Sequence, residues 1–351
     1  MRLFRNIVAY TLWTLLGLVF SANLIFAAPS VILTGPWGKE AGQFGRTHPD
    51  EQPVGPMTFT VGMSGEIFVL DNLNGRIQRF SRVGKFVEQY KIPAGDPVGF
   101  IAVPAYDMDN NGKKYIQPPV FVANYGSQCG QVKNGTIEWY QPIVPPGELT
   151  QFIRFKVDSK LQWFIEQLTG NEHYSSVMLF DKMRRYVGHR DISQCCINAA
   201  TGDLIGVAVN SYVDQLSSRQ MVISRFSAVN LYEEQSRCTV NIAAGKDDFV
   251  ELVGVAVDRD SASDQDCLLY ILITKWDDLP SSPVTYRVLL FSADGKPRGA
   301  LSLDDIWKPD NMYYESPARQ IVIDAGGNVY ISASSAKEGY SIVMYPNKDF
   351  H

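Results

Sequence analysis

The 28 residues from Val54 to Ser81 (VGPMTFTVGMSGEIFVLDNLNGRIQRFS) constrain this chain more than any others. Thr58 to Val61 alternates as a half-buried strand does, and Ser64-Gly65 supplies a turn. Glu66 to Leu70 reads as a second strand, Asp71-Asn72-Leu73-Asn74-Gly75 as another turn, and Arg76 to Phe80 as a third strand. Tight turns of this composition between short β-rich runs specify an antiparallel meander. Phe86 to Ile92 completes it as a fourth strand.

Looser copies of the meander follow. Val98 to Val103, Val120 to Ala123 and Thr136 to Tyr140 form one unit, and Phe152 to Asp158, Leu161 to Ile165 and Ser175 to Phe180 the next. Asp203 to Val209 and Met221 to Phe226 belong to a fourth. Val253 to Asp258, Leu268 to Thr274 and Arg287 to Phe291 belong to a fifth, ending in the turn Ala293-Asp294-Gly295. Arg319 to Asp324, Val329 to Ser332 and Ser341 to Tyr345 make the sixth. A hydrophobic-Asp pair recurs near the end of the first strand, at Val157-Asp158, Val257-Asp258 and Ile323-Asp324. The spacing averages about 52 residues, in the range of propeller-type repeats, and no segment sustains a helical period.

The expected fold is therefore all-β: a β-propeller of six four-stranded blades, each hiding its apolar faces against its neighbours. After Tyr345 only six residues remain, too few for a normal fourth strand, whereas Ser30 to Thr34 is a spare strand at the other end. The N-terminal strand is expected to complete the sixth blade and close the ring.

Upstream, Arg2 and Arg5 precede an apolar stretch, Ile7 to Phe26, that exits through Ala27-Ala28. Basic, apolar and small-residue regions in that order make a secretory signal, cut after Ala27. The competing reading is an uncleaved anchor over residues 7–26, diluted by Thr11, Thr14, Ser21 and Asn23. Either way residues 28–351 are expected as a single propeller domain outside the cytoplasm, secreted or periplasmic, with membrane contact only through an uncleaved N-terminus. The full chain carries a formal charge of −5, which becomes −7 without its first 27 residues because Arg2 and Arg5 are lost. That acidity argues against nucleic acid, which needs a concentrated basic surface. The local cluster Lys182-Met183-Arg184-Arg185 reads as a solvated turn.

Gly42-Gln43-Phe44-Gly45, Gly55-Pro56, Gly65-Glu66-Ile67-Phe68-Val69-Leu70-Asp71 and Asn74-Gly75-Arg76-Ile77-Gln78-Arg79-Phe80 together resemble the NHL repeat of β-propellers. The match is specific over residues 42–86 and partial over 319–345, where Ile323-Asp324 and Gly327-Asn328-Val329-Tyr330-Ile331 fit and the Asn-x-Arg-Ile element is absent. The resemblance implies a six-bladed ring of the kind used as a binding platform. Some relatives of the architecture are enzymes, among them lactonases, an amidating lyase and strictosidine-synthase-like proteins, so the resemblance carries no activity by itself.

Few constellations carry chemistry. Asp107, Asp109 and Asn111, followed by Gly112, have the oxygen spacing of a calcium loop, although the twelfth position of a full EF-hand loop is Pro118 rather than Glu. The same residues would also make an ordinary polar turn. His48, His173, His189 and His351 include no pair at the i, i+4 spacing of a helical zinc motif. Cys129, Cys195, Cys196, Cys238 and Cys267 are an odd number, and adjacent Cys195 and Cys196 make a strained pair. A Cys238–Cys267 disulfide and buried thiols are both compatible with the sequence. There is no Gly-x-Ser-x-Gly elbow and no phosphate-cradling glycine loop. Asn134-Gly135-Thr136 is formally a glycosylation acceptor. Trp276, Trp307, Tyr313 and Tyr314 lie in loop-like stretches and suit either a ligand surface or blade cores.

The expectation is a non-catalytic platform presenting loops at 104–118, 141–149, 259–266 and 277–284 to a protein or glycan partner. The alternatives are a metal-dependent hydrolase or lyase with an axial, lactonase-like site, and a structural component of the cell envelope.

Overall fold

A computed structural model describes residues 29–47, 55–62, 64–93, 98–103, 119–124, 128–134, 136–140, 152–157, 163–168, 175–181, 183–190, 192, 194–197, 203–210, 218–227, 233–243, 248–257, 267–275, 285–292, 294–303, 320–324, 326–335 and 337–347. The fold is an all-β propeller, and the described residues form six four-stranded antiparallel sheets. After β1 (Ser30–Gly35), the first sheet runs β2 (Thr58–Val61), β3 (Ile67–Asp71), β4 (Arg76–Phe80) and β5 (Phe86–Lys91). The second holds β6 (Val98–Ala102), β7 (Phe121–Asn124), β8 (Cys129–Lys133) and β9 (Thr136–Tyr140). The third holds β10 (Phe152–Val157), β11 (Trp163–Leu168), β12 (Ser175–Phe180) and β13 (Tyr186–Arg190). The fourth is β14 (Gln194–Ile197), β15 (Leu204–Asn210), β16 (Ser218–Ser227) and β17 (Glu233–Ala243). The fifth is β18 (Asp248–Val257), β19 (Cys267–Lys275), β20 (Thr285–Ser292) and β21 (Pro297–Ser302). In the sixth, β22 (Ile321–Ile323), β23 (Val329–Ser335) and β24 (Gly339–Tyr345) are joined by β1, which pairs with β24 from Ser30↔Met344 to Gly35↔Tyr340.

The first strands of the sheets touch one another: β2 meets β6 and β22, β6 meets β10, and β18 meets β14 and β22. A strand lying second in its sheet is then covered on both faces, so it should read as a continuous apolar run. β3 does so. Ile67 and Val69 pack with the sixth sheet, while Phe68 and Leu70 pack with the second. β19 repeats the pattern, with Leu268, Tyr270 and Leu272 turned to the sixth sheet and Cys267, Leu269 and Ile271 to the fourth. Outer strands alternate instead, as β5 does with Val87, Gln89 and Lys91 exposed.

The recurrent hydrophobic-Asp pair has a mechanical role at its last occurrence. Asp324 Oδ1 accepts from the Gly326 and Asn328 backbone N–H groups at 2.8 and 2.9 Å, and Asp324 Oδ2 accepts from Asn328 Nδ2 and the Tyr330 hydroxyl at 2.9 and 3.1 Å. The carboxylate therefore shapes the β22–β23 turn. Gly84, in the β4–β5 turn, has φ +72°, and a Cβ there would run into the Ile32 carbonyl of β1. The equivalent turn of the third sheet places Arg184 at φ 62°, with its guanidinium 3.3 Å above the Tyr140 ring. Around it, Asp181 accepts from the Met183 and Arg185 backbone and pairs with Arg185, and Met183 and Arg185 are exposed, as a solvated turn requires.

Candidate functional site

Polar side chains buried inside a propeller must be satisfied locally or reserved for something else. Two such groups face each other across the seam where the sixth sheet meets the first. They share the rim formed by the C-terminal ends of β3 and β23 and the N-terminal end of β22.

On the first-sheet side, Asp71 ends β3, and a one-turn 3-10 helix, Asn72–Asn74, reverses the chain through Gly75 at φ 60°. Asp71 is fully buried. Its Oδ1 accepts the Gly45 N–H at 2.9 Å, and its Oδ2 accepts from Asn74 Nδ2, Arg76 Nε and Gln78 Nε2 at 2.9, 2.9 and 3.1 Å. Arg76 Nη1 donates to Lys39 O and Gln89 Oε1, and Nη2 to Glu40 O and Gln43 O, all at 2.8 to 3.0 Å. All five guanidinium N–H groups are thereby used. Gln78 donates to Gln43 O at 2.7 Å and accepts the Gly42 N–H at 2.9 Å. Gly45 has no room for a side chain, since a Cβ would stand 2.7 Å from that of Leu73. The NHL-like Asp, Asn, Arg and Gln residues thus tie the backbone of residues 38–45, just beyond β1, to the first sheet.

On the sixth-sheet side, Tyr330, Tyr340 and Ile342 pack with Leu33, Phe44, Phe59, Ile67, Val69 and Phe80. Ser332 and Ser334 share the β23 face of Tyr330, opposite Ile342 and Tyr340 in the register. Gln320, immediately before β22, joins them, and Gln320, Ser332 and Ser334 are 2 to 3% exposed. The Ser332 hydroxyl donates to Gln320 Oε1. Gln320 Nε2 and Ser334 Oγ have no hydrogen-bond partner among the described residues. A buried polar atom left in that state costs about 1–3 kcal/mol. Trp37 borders this end, its indole N–H donating to Ser335 O at 2.8 Å and the Arg46 guanidinium lying over its ring at 5.9 Å.

The sequence-predicted residues fare differently. Asp107, Asp109 and Asn111 lie outside the described residues, as do His48, His173 and His351, the aromatic set Trp276, Trp307, Tyr313 and Tyr314, and the N-terminal signal over 1–27. His189 is exposed on β13, its Nδ1 2.8 Å from the Tyr186 hydroxyl. Cys238 and Cys267 are thiols, which decides the two open alternatives for that pair against a disulfide. Cys267 is buried in the fourth-to-fifth sheet core while Cys238 is exposed on β17, so each serves its own surroundings. Burial raises the Cys129 thiol far above its ordinary range, making it a packing residue rather than a nucleophile. Among the described residues no group of three His, Cys, Asp or Glu could hold a metal, and no helix is long and apolar enough to cross a membrane. The Gln320–Ser334 cluster was missed, because single Gln and Ser residues in a β-rich segment carry no spacing signal; the hydroxyls alternating at Ser332 and Ser334 were the hint.

No family model and no curated protein matches the chain. Solved structures do resemble it. Hydrazine synthase of Kuenenia stuttgartiensis superposes with TM-score 0.48 at 12% identity, covering 83% of this chain and 86% of that one. A catalytically inactive virginiamycin B lyase from Staphylococcus aureus, solved with quinupristin, gives 0.42 at 12%, covering 91% and 98%. A gluconolactonase from Xanthomonas campestris gives 0.43 at 10%, also covering 91% and 98%. Likenesses of this order carry no argument about activity.

Proposed function

We propose that the chain is an exported, NHL-like propeller of six blades, closed by its N-terminal strand, that serves as a non-catalytic binding platform for a protein or glycan partner. The observation that carries this reading is the fate of the NHL-like side chains. Asp71, Arg76 and Gln78 spend their hydrogen-bonding capacity on one another and on the backbone of residues 38–45. They stiffen a rim instead of meeting a substrate. The β9–β10, β15–β16, β19–β20 and β21–β22 connections all depart from that rim, since every sheet repeats the same up-and-down order. β9 and β19, which precede residues 141–149 and 277–284, end at that rim, whereas β6 and β18, which precede 104–118 and 259–266, end at the opposite one. Recognition is proposed to reside in residues 141–149 and 277–284, and a calcium ion is proposed to be held by Asp107, Asp109 and Asn111.

The test replaces residues 141–149 and 277–284 with short Gly-Ser linkers in the full chain. Binding is measured against arrays of extracellular proteins and glycans. Loss of binding with an unchanged unfolding temperature supports the platform. Chelation and re-addition of metal provides the counter-test: a stoichiometric metal that restores hydrolysis of a lactone or elimination from a cyclic ester would replace this reading with the hydrolase or lyase.

A further inference from the structure

The seam between the sixth and first sheets is lined mainly by apolar side chains, and Gln320, Ser332 and Ser334 stand at one end of its sixth-sheet side. Three buried polar side chains share that face, and Gln320 Nε2 and Ser334 Oγ have no hydrogen-bond partner among the described residues. The Gln320 amide has N–H groups to donate, and the Ser334 hydroxyl can donate or accept. The cluster itself contains no charged side chain, so an ionised guest would lose its hydration without a countercharge. An apolar guest would leave both groups unmet. A hydroxyl satisfies both, because its oxygen accepts from the amide while its hydrogen points to the serine.

We propose that Gln320 and Ser334 form a neutral hydroxyl-binding subsite set into this seam, taking a hydroxyl supplied by a buried water or by a sugar of a bound glycan. The glycan source rests on the platform reading, because the subsite lies on the same rim beside Trp37; the water source does not. Ordered water bridging otherwise unmet groups is a regular part of protein interiors. A sugar hydroxyl presents the same donor and acceptor with a carbon skeleton for the neighbouring aromatic ring.

The experiment has two arms on the full mature chain. Crystals diffracting well enough to show waters report whether an oxygen stands within hydrogen-bond distance of Gln320 Nε2 and Ser334 Oγ. In parallel, neutral and acidic oligosaccharides are titrated calorimetrically against the unaltered chain and against Gln320→Met and Ser334→Ala. Binding of neutral sugars weakened roughly threefold to tenfold by each variant, the scale of one uncharged hydrogen bond, assigns the hydroxyl to a glycan. An ordered water with no sugar binding assigns it to water. An amide and serine found satisfied by protein atoms, or found dry with sugar affinity untouched by either substitution, overturns the subsite. The crystal arm stands even if a variant fails to fold. Partner binding lost with the 141–149 and 277–284 replacements but unaffected by Gln320→Met would keep the platform and remove only the subsite.

Discussion

The two sides of one seam solve the burial of polar groups in opposite ways. On the first-sheet side a charged pair, Asp71 and Arg76, is sunk into the protein and every donor of the guanidinium has a partner. On the sixth-sheet side neutral groups are sunk equally deep and two of their polar atoms are left over. Ion burial is tolerable only when geometry and extra hydrogen bonds repay desolvation, so the first arrangement has to be complete. Neutral amides and hydroxyls cost less to bury, so the second can be left incomplete. Completeness marks the structural cluster, and incompleteness marks the one able to take a guest.

The comparison can be broken most forcefully by removing what joins its halves. Deleting residues 30–35 strips Leu33 from the seam and bares the edge of β24; it should abolish a cooperative urea transition, and a chain of unchanged stability would show that β1 is dispensable. Asp71→Ala comes next. It leaves Arg76 buried without its carboxylate, and an equilibrium unfolding loss of about 3–5 kcal/mol is expected; a loss no larger than that of an exposed ion pair would erase the contrast. Gly84→Ala should cost about 1–2 kcal/mol for the left-handed backbone, and more for the approach to Ile32, whereas Arg184→Gly in the third sheet should relieve such strain while losing the stacking on Tyr140. Ser334→Ala should stabilise the chain by about 1 kcal/mol, because it removes a buried hydroxyl with no hydrogen-bond partner among the described residues.

The smallest effect concerns pH. Burial, then the adjacent Asp324 carboxylate and its hydrogen bond, push the Tyr330 phenol well up. A raised acid favours its neutral form in the fold, so this contribution is whole below the ordinary phenol value of about 10 and is lost as pH climbs through the folded value. Tyr330→Phe should therefore make stability fall less steeply with pH in the alkaline range, as followed by circular dichroism.

Legibility in the sequence tracked how each strand is covered. β2 and β4 were read with their observed ends and β3 within one residue, because turn residues bracket them and their apolar patterns are unbroken. β8, β13, β14, β17 and β21 were not read. β13 (YVGHR), β17 (EEQSRCTVNIA) and β21 (PRGALS) lie at sheet edges, where one face meets water and polar residues dilute the signal. Pro297 opens β21, a position a sheet tolerates only where no ladder donor is needed. β14 is short and carries Cys195-Cys196 where a valine-rich run would have announced an inner strand. Of the candidate site, the motif residues Asp71, Arg76 and Gln78 were visible as a resemblance, but whether they face a ligand or a loop depends on residues 38–45 folding back over them, which spacing along the chain does not encode.

The pairing of β1 with β24 also sets an order of events. Val31 and Val343 are separated by roughly 310 residues, and bringing such distant points together carries a length-dependent entropy of about 5 kcal/mol. β1 is thus among the last strands to find its seat, and until β24 has formed Leu33 has no sheet to enter. A chain unable to make that pairing would bare the edge of β24 that β1 covers.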